Sequence, residues 1–217
     1  VYIFLDEVQN VAGWERFVRF LVDQQRHAIY ITGSSSSLLS KELGTLLTGR
    51  HLDLTIYPLS FGEFLFFKGI KLDNQLDLLS QKTKIRRLVG EYMRWGGFPA
   101  AVLGKNKQEI LLNYMGDILS RDIVERYNIK KVNNLKTLSK YYMTNCASLI
   151  SFNSIKGFIN MPVDTVERYS EYLNNAFLFF YLKRFSYSLK EQEKNPRKVF
   201  CIDSGLRNAV SMGFSED

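Results

Sequence analysis

"VYIFLDEVQN", residues 1–10, decides how the rest of the chain is read. Val1 to Leu5 are apolar and rich in β-forming residues, and they run straight into Asp6 and Glu7. A continuous apolar run of this kind suits a parallel strand buried on both faces. Side chains at the carboxyl end of such a strand point into the crevice where ligands bind. Asp6 there can hold Mg2+, usually through water, and Glu7 can polarise an attacking water. The same two carboxylates also fit a surface acidic pair that caps the following helix.

Trp14 to Gln25 follow with helical spacing, Trp14, Phe17, Val18, Leu21 and Val22 sharing one side. Ala28 to Thr32 read as a second buried strand, stopped by Gly33 and a serine run. Ser37 to Thr48 read as a helix, and Leu52 to Tyr57 as a third strand ended by Pro58. Strand–helix–strand–helix–strand is the pattern of a parallel sheet with crossover helices. The predicted fold therefore opens as an α/β partial parallel sheet over residues 1–60.

After Ser60 the character changes. Phe61 to Asn128 carry helical patterns, broken once at "GGFPA", which predicts an all-α segment over residues 61–130. Asn133 to Ser148 and Ser154 to Asn160 read as two further helices. Met161-Pro162 opens a third, Val163 to Asn174, with proline in the first turn where its missing N–H costs little. Phe177 to Phe185 and Lys198 to Ile202 read as strands around a polar stretch. Three helices followed by a hairpin are the order of a winged helix-turn-helix, expected over residues 131–203.

The bulk numbers bound the function. The 217 residues are 46% hydrophobic and 14% aromatic, enough to bury a core. Lys and Arg number 29 against 22 Asp and Glu, a formal charge of +7, which favours anionic partners such as nucleic acid, nucleotide or acidic protein. Cys146 and Cys201, the two cysteines, suit reduced core thiols of a cytoplasmic protein. His27 and His51 are too few for a histidine-based metal site. No apolar run approaches the roughly 20 residues of a membrane span, so no membrane partner is expected.

Three further stretches carry chemistry. "IYITGSSSS" ends the second strand in hydroxyl residues that can sense a γ-phosphate, although Ser36 or Ser37 also fits a helix N-cap. "LLTGR" exposes Arg50, which can neutralise charge in a neighbouring copy's phosphoryl transfer, or serve only as a cation near a helix C-terminus. Basic residues gather in and beside the hairpin: Lys183, Arg184, Lys190, Lys194, Arg197 and Lys198. With Arg168 on the preceding helix they fit double-stranded DNA, the wing tracking phosphates while the helix enters a groove. A protein-interaction winged helix is the alternative, with Glu191 and Glu193 diluting the field.

"YIFLDEVQN", "ITGSSSSLL", "LTGRHLDLTIYPLSFGEF", "RWGGFPA", "SRDI" and "KVFCIDSGLRNAV" occur in that order. In this combination the chain closely resembles the archaeal-type AAA+ ATPases of bacteria and archaea. That family has a P-loop ATPase core, a helical lid, a winged helix and a restriction-endonuclease-like C-terminal domain. The resemblance implies ATP and Mg2+ as cofactors, with Asp6 and Glu7 as the Walker B pair, Asp6 for Mg2+ and Glu7 as catalytic base. It implies Ser34, with Ser35 beside it, as the sensor and Arg50 as the arginine finger of a homo-oligomer. It places Gly96, Gly97 and Pro99, with Arg94 nearby, beside the adenine.

The family's GxxxxGK[ST] phosphate loop does not occur in these residues, since neither "GSSSS" nor "GTLLTGR" supplies the Gly-Lys-Ser/Thr. The expectation is a fragment that begins inside the ATPase core and ends, at residues 204–217, at the start of a truncated C-terminal domain. Such a fragment is expected to be inactive alone and to leave a sheet edge or apolar face uncovered. The competing expectation is a non-catalytic DNA-binding or protein-interaction module.

Overall fold

The computed structural model describes residues 1–8, 11–34, 50–71 and 75–211. The helix expected over 37–48, the sensor neighbour Ser35 and the cap residues Ser36 and Ser37 lie outside the described residues, as do residues 212–217. The chain divides into two compact units. One comprises Val1–Thr55 with Asn175–Phe177, and the other Ile56–Asn174 with Leu178–Asp217.

The first unit is a small parallel sheet with a helix on one face. β1 (Tyr2–Leu5) pairs in parallel with β2 (Ala28–Ile31), Tyr2 opposite Ala28 and Leu5 opposite Ile31. α1 (Trp14–Asp23) connects them. Trp14 and Val18 of α1 bury against Val8, and Leu5, Val22 and Ile31 complete that cluster. Phe17, expected on the inner side of α1, is exposed.

Only one face of the sheet is covered among the described residues, so burial on both faces does not hold. The other face presents Tyr2 (70% exposed), Phe4 (73%) and Tyr30, whose rings lie against one another. The strand pattern required an apolar face, not two, and period-two alternation supplies it: Ile3, Leu5, Ile29 and Ile31 turn inward. The third strand expected over Leu52 to Tyr57 does not form. Residues 51–57 belong to no strand, and Leu52 stands 99% in water. Among the described residues its β-forming residues have no neighbouring strand to pair with, and propensity alone does not make a strand.

The second unit opens with α2 (Phe61–Phe67), started by a capping box in which Ser60 and Glu63 satisfy each other's backbone N–H groups. α3 (Gln75–Ser80), α4 (Lys82–Trp95), α5 (Pro99–Leu103) and α6 (Lys107–Asp117) follow, and α6 runs into a π-helix, Ile118–Glu125. Phe64, Leu65, Ile70, Leu88 and Val102 form the core between them.

α7 (Val132–Thr144), α8 (Phe152–Ile159) and α9 (Val163–Asn175) come next. β3 (Leu149–Ile150), β4 (Phe179–Leu182) and β5 (Arg197–Cys201) form an antiparallel sheet in the order β3-β5-β4. β5 pairs with β3 through Leu149 and Lys198, and with β4 through Phe179 and Cys201. Ile155, Val166, Leu173, Phe179 and Val199 are wholly or almost wholly buried. The stretch between β4 and β5 is not a plain hairpin. It contains α10 (Leu189–Lys194), capped by Ser188.

α11 (Ser204–Ser211) closes the unit against α4, α6 and α7. Residues 204–211, expected to begin a further domain, thus bury Leu206 within this unit. Among the described residues no helix is long and apolar enough to cross a membrane. Cys146 and Cys201 are free thiols. Cys201 N–H donates to Cys146 Sγ at 3.3 Å, and burial pushes the Cys201 thiol up to about 12.

Candidate functional site

The carboxyl end of the β1–β2 pair brings three polar residues together. The parallel ladder ends with Thr32 N–H donating to Leu5 O at 2.9 Å. One step further along the same register, Asp6 meets Thr32, whose hydroxyl donates to Asp6 Oδ1. Glu7 N–H in turn donates to Thr32 Oγ1 at 3.3 Å. Glu7 sits in the left-handed region at φ 48°, a conformation that costs a non-glycine residue energy and turns the chain sharply out of β1. Thr32 is the member that sequence reading passed over. Its signal was present: two parallel strands ending level place residue 6 beside residue 32.

The donor set at this edge is hard oxygen, one carboxylate and one hydroxyl. That suits Mg2+, which keeps several waters and takes phosphate oxygens, rather than a metal caged by protein alone. Among the described residues no group of three or more His, Cys, Asp or Glu side chains could hold a metal ion. Ser34 lies two residues beyond Thr32, half-buried. Arg50 Nη1 donates to Asp23 Oδ1 at 3.1 Å, an ion pair at the last turn of α1 with both side chains about half exposed.

The glycine–proline stretch of the second unit is a socket for a carboxylate. Gly97 N–H donates to Asp203 Oδ2 at 2.7 Å, and Leu206 N–H donates to Asp203 Oδ1 at 2.8 Å. Gly96 has φ 73°, and a Cβ on it would lie 2.0 Å from Asp203 Oδ1. A Cβ on Gly97 would lie 2.1 Å from Leu59 O. Pro99 occupies the first turn of α5, where no N–H is required.

α11 adds to this seat. Ser204 Oγ donates to Tyr92 O, and Asn208 Nδ2 donates to Met93 O and Arg94 O, both at 3.0 Å. These bonds add side-chain donors to carbonyls in the last turn of α4, where Tyr92 O also accepts the Gly96 N–H at 2.8 Å. Asp203 is buried, and that burial pushes its carboxyl above the usual range despite the backbone N–H groups that favour its ionised form. Within "CIDSGLRNAV", no local pattern marks Asp203 for this role.

The basic residues of the C-terminal part divide into two sets. Lys183 pairs with Glu193, and Arg197 donates to Glu193 O at 3.0 Å with its guanidinium 4.5 Å from the Phe152 ring centroid. Arg168, Arg184, Lys194 and Lys198 are exposed.

Residues 86–217, more than half of the chain, match the family described as "Domain of unknown function (DUF8612)". The chain belongs to this family. Residues 1–65 of this DUF8612 chain match the family described as "AAA domain", so its N-terminal part is of the AAA, ATPase-like type. An uncharacterized protein of Methanocaldococcus jannaschii is 36% identical over 223 residues, covering 99% of this chain and 49% of its own length. An uncharacterized protein of Haemophilus influenzae is 35% identical over 214 residues, covering 95% of this chain and 52% of its own. The chain spans about half the length of these curated relatives. No solved structure matches it.

Proposed function

We propose that residues 1–60 contribute the water-activating edge of an AAA-type ATPase, that residues 61–130 serve as its helical lid, and that residues 131–203 are a winged helix that binds double-stranded DNA. The observation that carries the first part is the Asp6–Thr32 hydrogen bond at the carboxyl end of a parallel pair. The AAA match over residues 1–65 supports it. Asp6 holds Mg2+ together with ATP, Thr32 fixes the Asp6 carboxylate, and Glu7 accepts the proton of the attacking water. Bound Mg2+ supplies charge neutralisation for the phosphoryl group. Ser34 senses the phosphate from the next strand, and Arg50 exchanges Asp23 for the phosphate of a neighbouring copy in a homo-oligomer.

The winged-helix reading rests on the order α7-β3-α8-α9-β4-β5 and on the sheet order β3-β5-β4. α9 then serves as the recognition helix, carrying exposed Arg168. The test of the ATPase reading is ATP hydrolysis by the longest natural form of the protein, wild type against Glu7→Gln. Turnover is expected to fall on the order of a hundredfold or more while nucleotide binding persists. Equal turnover in the two proteins would overturn it.

A further inference from the structure

The segment between β4 and β5 shows two aromatic rings to water. Phe185 is 78% exposed and Tyr187 97% exposed, their ring centroids 5.2 Å apart and edge to face. Exposed aromatics on a polar loop lose hydrophobic stabilisation unless something covers them. The backbone between them is not slack. Ser186 Oγ donates to Glu191 Oε2 at 2.8 Å, Ser188 N–H donates to Ser186 Oγ at 3.1 Å, and Gln192 Nε2 donates to Ser186 O at 2.6 Å. The residue between the rings is thus tied by two bonds to α10 and by a third to its cap Ser188, which holds the pair in place before any partner arrives.

The charge around the rings selects the partner. Residues 183–198 contain six Lys and Arg against two Glu. Glu193 is already matched by Lys183, and Ser186 holds Glu191. Arg184, Lys190 and Lys194 are exposed on the same β4–β5 segment as the rings. Cations beside flat aromatic faces match phosphates beside flat bases. A closed duplex offers the phosphates but keeps its base faces stacked inside. Two preorganised rings gain from a nucleic acid only where bases are unpaired.

We propose that this tip binds nucleic acid through unpaired bases, Phe185 and Tyr187 stacking on bases and Arg184, Lys190 and Lys194 contacting phosphates. Its ligand is single-stranded DNA or the open end of a duplex. The proposal rests on the reading of the C-terminal module as a DNA binder, and it adds the class of DNA structure and the residues that choose it.

The test compares single-stranded, blunt duplex and forked DNA by fluorescence anisotropy at low salt. A Phe185→Ala/Tyr187→Ala variant should bind the single strand and the fork on the order of tenfold or more weakly. Its affinity for blunt duplex should change by less than about twofold. Tyr187→Phe, which keeps the ring, should bind as wild type. A 2-aminopurine base at the fork should be quenched by wild type and not by the double variant. Both rings are exposed, so an unchanged melting temperature is expected and separates lost binding from lost fold. If the double variant binds all three DNAs as wild type does, this proposal falls and the duplex reading stands. If wild type binds none of them at low salt, both fall, and the rings belong to a protein interface.

Discussion

Asp203 and Gly97 lie 106 positions apart in the chain, yet the carboxylate of one accepts the backbone N–H of the other at 2.7 Å. The contact joins the start of α11 to the end of α4. Both partners are buried, so water cannot replace either one.

Replacing Asp203 with alanine should therefore cost about 2–4 kcal/mol, because the N–H groups of Gly97 and Leu206 lose their acceptor inside the protein. Gly97→Ala should cost a similar amount, about 3 kcal/mol, by driving a methyl group into Leu59 O. Leu59 cannot simply retreat, since its N–H donates to Gly97 O at 2.8 Å and its carbonyl accepts from the Tyr92 hydroxyl. Urea denaturation of both variants checks this. A Gly97→Ala protein as stable as wild type would show that the socket is loose.

Two carboxyls of the second unit should pull stability in opposite directions with pH. Burial raises the Asp203 carboxyl above its unfolded value, so the folded state holds that proton longer. Its contribution is largest below the ordinary aspartate range and is lost as pH rises through the raised folded value. Burial also opposes ionised Glu91, but the hydrogen bond and charge of Lys68 and the charge of Lys107 outweigh it and lower that carboxyl. The Glu91 contribution is present above the ordinary glutamate range and is lost as pH falls through the lowered value. Denaturation midpoints followed across pH about 3 to 7 check both signs. Asp203→Asn should remove the fall in stability on the rising side, and Glu91→Gln the fall on the acid side. Unchanged profiles in both variants would contradict the assignment.

Thr32→Val tests the polar edge of the first unit without touching a carboxylate. The hydroxyl that donates to Asp6 and receives Glu7 N–H is lost, and the shape is kept. Mg2+-dependent ATP hydrolysis in the longest natural form should fall on the order of tenfold, and Thr32→Ser should restore most of it. The 217-residue chain by itself should turn over no ATP, since its sequence supplies no Gly-Lys-Ser/Thr phosphate loop. Wild-type turnover by Thr32→Val would remove Thr32 from the site. Robust turnover by the chain alone would mean that other residues hold the phosphate.

On the proposed reading of residues 131–203 as a DNA-binding winged helix, the cations of α9, α10 and β5 should not behave alike. Lys194→Ala and Lys198→Ala remove exposed charges, so duplex binding should weaken and its salt slope flatten by roughly 0.9 per lost phosphate contact, with stability unchanged. Arg197→Ala should also destabilise the fold, by about 1 kcal/mol, because its guanidinium lies over Phe152. Arg168→Ala should alter sequence preference rather than the salt slope. A salt series on several duplexes, with a melting curve for each variant, separates these effects.

The parts that could be read locally are those held by local pattern. β1 and β2 announce themselves through runs of β-forming apolar residues, and the helices from Phe61 onward through their apolar spacing. Leu52 to Tyr57 have the same β-forming character, but the strand also needed a partner, and a partner is not a local property. α10 escaped notice because Leu189–Lys194 has no apolar stripe; its helix depends on Ser188 at the cap. Asp6 and Glu7 were legible as a pair, whereas Thr32 required the register of two strands. Asp203 was illegible for a stronger reason. A carboxylate in "CIDSG" looks like any exposed turn residue until a glycine more than a hundred positions away is known to face it.

α11 also fixes an order of events during synthesis. The end of α4 receives its bonds from Asp203, Ser204 and Asn208, residues that leave the ribosome about a hundred positions after it. Until then the Tyr92, Met93 and Arg94 carbonyls lack these donors and the seat for Leu206 stays open. Residues 97 to 202, which include β3, β4 and β5, are thus made before the donors that close the α4 end. A product terminated between residues 97 and 203 presents that unclosed α4 end, and one that includes α11 closes it.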